Sequence, residues 1–462
     1  MTAPLAFLLA ACIGTNSPEC PTDGAAAQSL RADLEPRANF IVPAVEIVAM
    51  DSLLNAIGRQ ITDDDSFNVT RGSIRRNLRR RWVVDDDPFE INQVLHPYQG
   101  AMYQNFARST GLNYWQSLAY TFAGSLLWEI AGETTPPSKN DQIASGVAGT
   151  FLGEPLFRIA NLLIDRAQGR PGFGRSLLVA IVSPPTAFNR MAFGDRFDTV
   201  MSTHDPAYDM RFQIGASRVA HHDPGRPSGT DSNEAILDTF IDYGLPGKAD
   251  YRFSRPFDYF SLHATASSAN GLELLTTRGL LAGKGYDAGR NLKGVWGLYG
   301  LYDYLSPEIF RVSTAALSVG TTAQAGTADS LVLQGTLLGG VGYAAVQAVR
   351  TSNDRNYHYG ISPQAMAAVR MIVSDRVSLD LIAREYFLND TELTAGDDAI
   401  FRGEVSLGVR VYRRNAVTVR YVLSQRQASL LNQGTQTHAR ATLGLFYTLL
   451  GPQRFGAVHW RH

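Results

Sequence analysis

Two periods divide this chain. Beyond about residue 204, apolar and polar residues alternate with a period of two. From Phe401 to Tyr412, Phe401, Gly403, Val405, Leu407, Val409 and Val411 fall on one face, and Arg402, Glu404, Ser406, Gly408, Arg410 and Tyr412 on the other. Val417, Val419, Tyr421 and Leu423 alternate in the same way with Thr418, Arg420, Val422 and Ser424, and a third run covers 439–450. Further strands are expected near 208–219, 234–243, 257–267, 271–282, 293–304, 309–319, 330–346, 358–371 and 376–387, making about 12. Runs of roughly ten alternating residues separated by turns are the signature of a transmembrane β-barrel. Closure is required because lipid cannot satisfy an open sheet edge.

The polar face decides between a soluble and a membrane barrel. It carries Asp380, Arg384, Glu404, Arg410, Arg420, Arg426 and Arg440. A soluble sandwich or lipocalin-like barrel would bury these charges in a dry core, at high cost. A polar lumen with lipid outside accommodates them. The expected fold is therefore α+β, an N-terminal helical module followed by an antiparallel outer-membrane β-barrel over 204–462.

Upstream, the apolar spacing is helical. Residues 28–85 read as a linker and an Arg-rich segment, with 40–57 a strand or turn leading into a short helix. Six arginines between Arg71 and Arg81 lie between the aspartates 63–65 and 85–87, a solvated and neutralised face. The helical module occupies 86–200. Its helices run over 97–109, opened by Pro97 and closed by Gly111, then 113–131, then 139–167, with a shorter apolar segment 177–182 that stops at Pro184-Pro185. These helices are apolar nearly all round, so they are buried against one another, in a barrel or in the bilayer.

Composition fits this picture. Charged residues are 18%, below the usual share of roughly 25%, while Gly (42), Tyr (19) and Phe (22) are abundant. A net charge of −1 offers no electrostatic case for nucleic acid. Both cysteines, Cys12 and Cys20, are near the N-terminus, which leaves the folded body without disulfide or Cys-based metal chemistry. The apolar run Leu5–Ala11 resembles an export signal within 1–27, and Leu9-Ala10-Ala11-Cys12 a lipid-attachment signal at Cys12, although the positively charged start of such signals is missing. The chain has no Gly-x-Ser-x-Gly, P-loop, His-Glu-x-x-His or dinucleotide fingerprint, so no cofactor and no metal are expected.

Candidate chemistry gathers in the helical module. Ser125, Glu129 and Glu133 lie at four-residue spacing on one helix face, where two carboxylates repel unless a proton, cation or base intervenes. Asp141 shares a face with Ser145, Gly149 and Gly153, and this small-residue stripe permits a close helix approach that could bring Asp141 near Glu129. His96 completes an acid–base set of Glu129, Glu133, His96 and Asp141. Asn92, Tyr98, Tyr103, Arg108, Asn140 and Glu154 are candidate ligand-binding groups. Structural readings compete: Ser138 to Asp141 is a capping box, and His96 before Pro97 sits where a helix begins. On the strand at 257–268, Ser261, His263, Thr265 and Ser267 share a face, as a His and a hydroxyl do in some outer-membrane lipases, but those enzymes' His-x-Ser-Asn-Gly pattern is missing.

The run Asp85-Asp86-Asp87 through Asn92, His96-Pro97-Tyr98, Gly100 and Tyr103, followed by Arg108, Trp128-Glu129, Asn140-Asp141 and Gly153-Glu154, resembles an uncharacterised bacterial envelope family known only as a domain of unknown function. The resemblance covers about 40–200 and implies an exported, outer-membrane-associated protein of no established activity. The helical hairpin is also similar, more weakly, to VanZ-like membrane proteins.

The expected protein is an outer-membrane barrel of a Gram-negative bacterium with a polar-lined lumen and a helical plug or cap. The alternative is an enzyme modifying envelope lipid or lipopolysaccharide at the helical module. Expected partners are outer-membrane lipid, lipopolysaccharide and, during insertion, the barrel-assembly machinery. Placement of the helices in lumen, periplasm or bilayer is left open.

Overall fold

A computed structural model describes residues 38–62, 65–85, 87–197, 201, 205–222, 229–289, 291–326, 331–348, 355, 357–390, 397–430, 434–452 and 454–460. The expected export signal and Cys12 lie outside them.

The second half is a closed barrel of twelve antiparallel strands in which each strand pairs with its chain neighbour and the last pairs with the first. The strands are β1 Tyr208–His222, β2 Gly229–Tyr243, β3 Phe260–Ser267, β4 Gly271–Ala288, β5 Leu292–Leu305, β6 Arg311–Ala325, β7 Leu331–Gln347, β8 Tyr357–Val373, β9 Val377–Asp390, β10 Asp397–Tyr412, β11 Asn415–Leu430 and β12 Gly434–Leu450. Every run of period-two alternation corresponds to one of them. Val405, Leu407, Val417, Val419, Leu443 and Leu445 face outward and are exposed, while Arg402, Glu404, Arg420 and Arg440 point inward and are buried. This apolar-out, polar-in arrangement is that of a membrane barrel.

The interior is packed rather than wet. Arg370 reaches three carboxylates, Asp380 (2.5 Å), Asp209 (2.9 Å) and Asp242 (3.4 Å). Arg420 pairs with Asp238 at 2.9 Å, Arg440 with Glu234 at 2.6 Å, and Arg426 with Asp398 at 2.7 Å. Buried charges are costly unless partners offset their desolvation, and pairing between neighbouring strands and across the lumen does that for these four arginines, while Arg384, also buried, has no hydrogen-bond partner among the described residues. The segment after β12 folds into one mouth: Gln334 donates to the Gly456 carbonyl at 2.9 Å, Val458 N–H donates to Gln324 at 2.9 Å, and Phe455 is buried. A lumenal cavity of about 50 Å3 remains beside Tyr259, Arg278 and Arg370.

The helical half contains α1 Ile41–Ile61, α2 Arg71–Asn77, α3 His96–Ser109, α4 Tyr114–Leu127, α5 Lys139–Ile143, α6 Gly149–Asp165, α7 Phe173–Val182 and α8 Pro184–Phe193. Single π-helical turns join some of them. Ile91–Leu95 leads into α3, Trp128–Gly132 extends α4, and Ala144–Ala148 fuses α5 to α6. Two elements differ from expectation. Residues 40–57 are not a strand or turn but most of a 21-residue helix, because Pro43 falls in its first turn, where no backbone hydrogen bond is lost. Pro184-Pro185 stops one helix and also starts another, since proline suits the first helical positions.

The module lies against the outside of the barrel. On β5, Trp296 and Leu298 are exposed, so Gly300, Tyr302 and Tyr304 on the same face also point outward, yet the two tyrosines are almost fully buried. The module covers them. Phe151 of α6 seats on Gly300, Thr277 of β4 donates to the Phe151 carbonyl at 3.1 Å, and Tyr302 donates to the Gln93 carbonyl at 2.5 Å. Of the placements left open by the sequence, the lumen is thus occupied by barrel side chains and the C-terminal segment, and the helices plug nothing.

Candidate functional site

The polar residues of the module converge where it meets β8. Three backbone features place them. Ser138 caps α5 by accepting from Asp141 N–H at 3.2 Å. A short parallel bridge, Val83 N–H to the Pro137 carbonyl (2.9 Å) and Lys139 N–H to the Val83 carbonyl (2.8 Å), brings Asp85 alongside that cap. Gly100 and Gly149 let α3 and α6 touch backbone to backbone: a Cβ on Gly149 would lie 2.7 Å from Gly100 Cα. The small-residue stripe therefore draws Asp141 toward α3 and His96, and the cap of the same turn is tied to Glu129, whose Oε2 accepts from Ser138 N–H at 2.7 Å.

The result is a hydrogen-bonded cluster around Asp85. Asn92 donates to Asp85 Oδ1 at 2.6 Å and Asn140 donates to the same oxygen at 2.8 Å, while Asp141 hydrogen-bonds its carboxyl. The barrel completes the cluster with two outward tyrosines of β8. Tyr357 accepts from Asn92 at 2.8 Å and donates to the Asp87 carbonyl at 2.8 Å. Tyr359 accepts from Asn140 and from Gln93, each at 2.9 Å. His96, buried, sets Nε2 3.7 Å from Asp141 Oδ2 and Nδ1 3.3 Å from Ser145 Oγ.

Electrostatics follow from this geometry. Burial raises the Asp85 carboxyl, but its hydrogen bonds from Asp141, Asn140 and Asn92 outweigh burial and hold it below the usual carboxylate range. Glu129 accepts one hydrogen bond, from Ser138 N–H at 2.7 Å. Burial raises Glu133, which lies off the helix, to about 7. Asp85 is the carboxyl that the cluster holds as an anion.

Glu129 and Glu133 do not share a face. The π turn Trp128–Gly132 breaks the four-residue register, and Glu133 leaves the helix to accept from Trp128 Nε1 at 2.8 Å. Four other candidates lie elsewhere. Tyr98 is exposed, and Tyr103 donates to Asp51 of α1. Arg108 grips Glu154 with two bonds, 2.7 and 3.1 Å, and Arg158 joins at 2.9 Å while reaching Asp258 of the barrel at 3.2 Å. That triad ties α3 and α6 to the barrel. His263 points into the lumen and pairs with Asp238 at 2.7 Å, where Thr265 also donates at 2.6 Å, so that strand shows the plain polar lumenal face. Among the described residues no group of three His, Cys, Asp or Glu could hold a metal ion.

Asp85, Gln93, Tyr357 and Tyr359 were not candidates from sequence. Asp85 lay in a three-aspartate run that reads as solvated. The tyrosines share one strand face, but nothing local indicates that a helical module covers it.

Residues 81–185 match the family model described as a domain of unknown function (DUF3943). No curated protein matches the chain. Solved structures with similar barrels include the NanC porin, 6% identical, covering 51% of this chain and 98% of that one with a TM-score of 0.27. Others are OmpT, an outer membrane protein of Vibrio cholerae (9% identical, 53% and 99% covered, TM-score 0.22), and the P. putida toluene transporter TodX (8% identical, 56% and 92% covered, TM-score 0.23).

Proposed function

We propose that this protein is an outer-membrane barrel that works at its lipid-facing wall through the helical module, and that its lumen conducts nothing. One observation carries the reading. The module is seated on outward-facing residues of β4, β5 and β8, while the lumen is crossed by the ion pairs of Arg370 with Asp209 and Asp242 and closed at one mouth by the C-terminal segment. The helices then lie in hydrocarbon beside the barrel. In support, α1 has 21 residues, is long and apolar enough to cross a membrane, and exposes Ile41, Val45, Val48, Ile57 and Ile61. At ~1.5 Å per residue it is about 31 Å long, close to the ~30 Å hydrocarbon layer.

The test is conductance of the purified full chain in planar bilayers. The expected result is no stable channel in salt solution. A steady, ohmic pore would overturn the reading and return the function to passage through the lumen.

A second reading, chemistry on an envelope lipid, is favoured by one observation, the placing of Asp141 between hydrogen-bonded Asp85 and buried His96. In that reading Asp141 and His96 exchange a proton with the substrate and Asp85 positions Asp141. Mass spectrometry of envelope lipids from a strain lacking the gene, complemented with wild type or Asp141→Asn at matched levels, tests it. A lipid species restored by wild type alone supports catalysis; identical lipids in all strains sink it.

A further inference from the structure

On the side of α1 away from the hydrogen-bonded cluster, α1, α3 and α8 enclose an open groove of about 610 Å3 walled by Val45, Met50, Phe106, Pro185 and Phe188. Its one charged lining residue is Glu46. This side chain is 9% exposed; Oε2 accepts from Asn189 at 3.3 Å, while Oε1 has no hydrogen-bond partner. A buried acceptor without a donor is costly, on the order of 1–3 kcal/mol, and nothing in the apolar walls can supply the donor. The groove is continuous with the exposed apolar residues of α1 and α8, Val48, Ile57 and Met191 among them.

We infer that this groove holds one acyl chain of a bilayer lipid, and that the chain carries a hydroxyl which donates to Glu46. The inference rests on the placement of the module in the bilayer proposed above, because hydrocarbon then surrounds the groove and a lipid chain is the occupant at hand. An unsubstituted chain would fill the volume but leave Glu46 unsatisfied. The hydroxyl is therefore the recognition element.

The experiment uses the full chain in phosphatidylcholine vesicles. They are doped with a phosphatidylcholine carrying a diazirine-labelled palmitoyl chain, or with its 3-hydroxypalmitoyl counterpart. After photolysis, adducts are mapped by peptide mass spectrometry. Labelling on α1 and α8 is expected to exceed that on the bare β7 wall at Leu337 and Val341 about tenfold, and to favour the hydroxylated probe. Ala49→Trp, which fills the groove, should remove the excess and leave wall labelling intact, as should Val45→Trp if the first variant folds poorly. Glu46→Met should abolish the hydroxyl preference while labelling persists. Equal labelling of groove and wall, unmoved by Ala49→Trp, would overturn the inference while leaving the bilayer placement standing. A hydroxyl preference that survives Glu46→Met would also overturn it. Absence of wall labelling would sink the bilayer placement itself, and the groove's occupant with it.

Discussion

The side-chain amide of Asn140 donates to the phenol oxygen of Tyr359 at 2.9 Å, and so joins the first turn of α5 to the outward face of β8. Gln93 donates to the same oxygen. Tyr359→Phe takes from the Gln93 amide its acceptor and from Asn140 one of three, and is expected to loosen module docking by about 1–3 kcal/mol. Because the ring faces outward, barrel closure should not change. Limited proteolysis within 88–165 should quicken while the heat-induced gel shift of the barrel stays at its wild-type temperature. A lowered barrel transition with unchanged proteolysis would contradict this docking role.

Gly100 is the tightest contact in the module. A Cβ there would lie 1.9 Å from the Ser145 carbonyl oxygen, a backbone atom that cannot turn aside. Gly100→Ala is expected to destabilise the module by about 1–3 kcal/mol through overpacking and to separate His96 from Asp141. Gly174→Ala, which meets open space inside α7, is the control and should not destabilise. Urea unfolding followed by Trp fluorescence distinguishes them.

Arg370 meets three aspartates. Arg370→Met leaves these carboxylates facing one another without a cation. Breaking such a buried set costs about 3–5 kcal/mol, so the barrel's heat-induced gel shift should move to lower temperature. Adding Asp380→Asn should recover part of the loss.

The barrel was legible because lipid and lumen impose a strict alternation. Leu407 and Val419 on one face and Glu404 and Arg420 on the other announce both the strands and their environment. The helices were legible as apolar segments, and α1 in part: its C-terminal portion reads as a short helix, but its start reads as a strand or turn, since Pro43 looks like a breaker unless its place in the first turn is known. The candidate site was partly legible. His96, Asn92, Asn140 and Asp141 do come together, whereas Glu133 is turned away by a π turn that no spacing rule reveals. Asp85, Tyr357 and Tyr359 depend on contacts between residues more than fifty positions apart, and local pattern carries no trace of those.

The two carboxyls of α1 bear on how such a chain reaches its destination. An exported polypeptide with a 21-residue apolar helix risks being retained in the first membrane it meets. Asp51 is the middle residue of α1, with Glu46 five positions before it. An ionised side chain near the centre of a crossing segment costs roughly 2.5–3.5 kcal/mol on the insertion scale. In the unfolded chain in transit both carboxyls are hydrated and oppose lateral escape from the translocation machinery. In the folded protein Asp51 accepts from Tyr103 and Glu46 from Asn189. Covering these two carboxyls of α1 thus requires residues that follow it by 52 and 143 positions, so the helix meets its partners only after most of the module has been made.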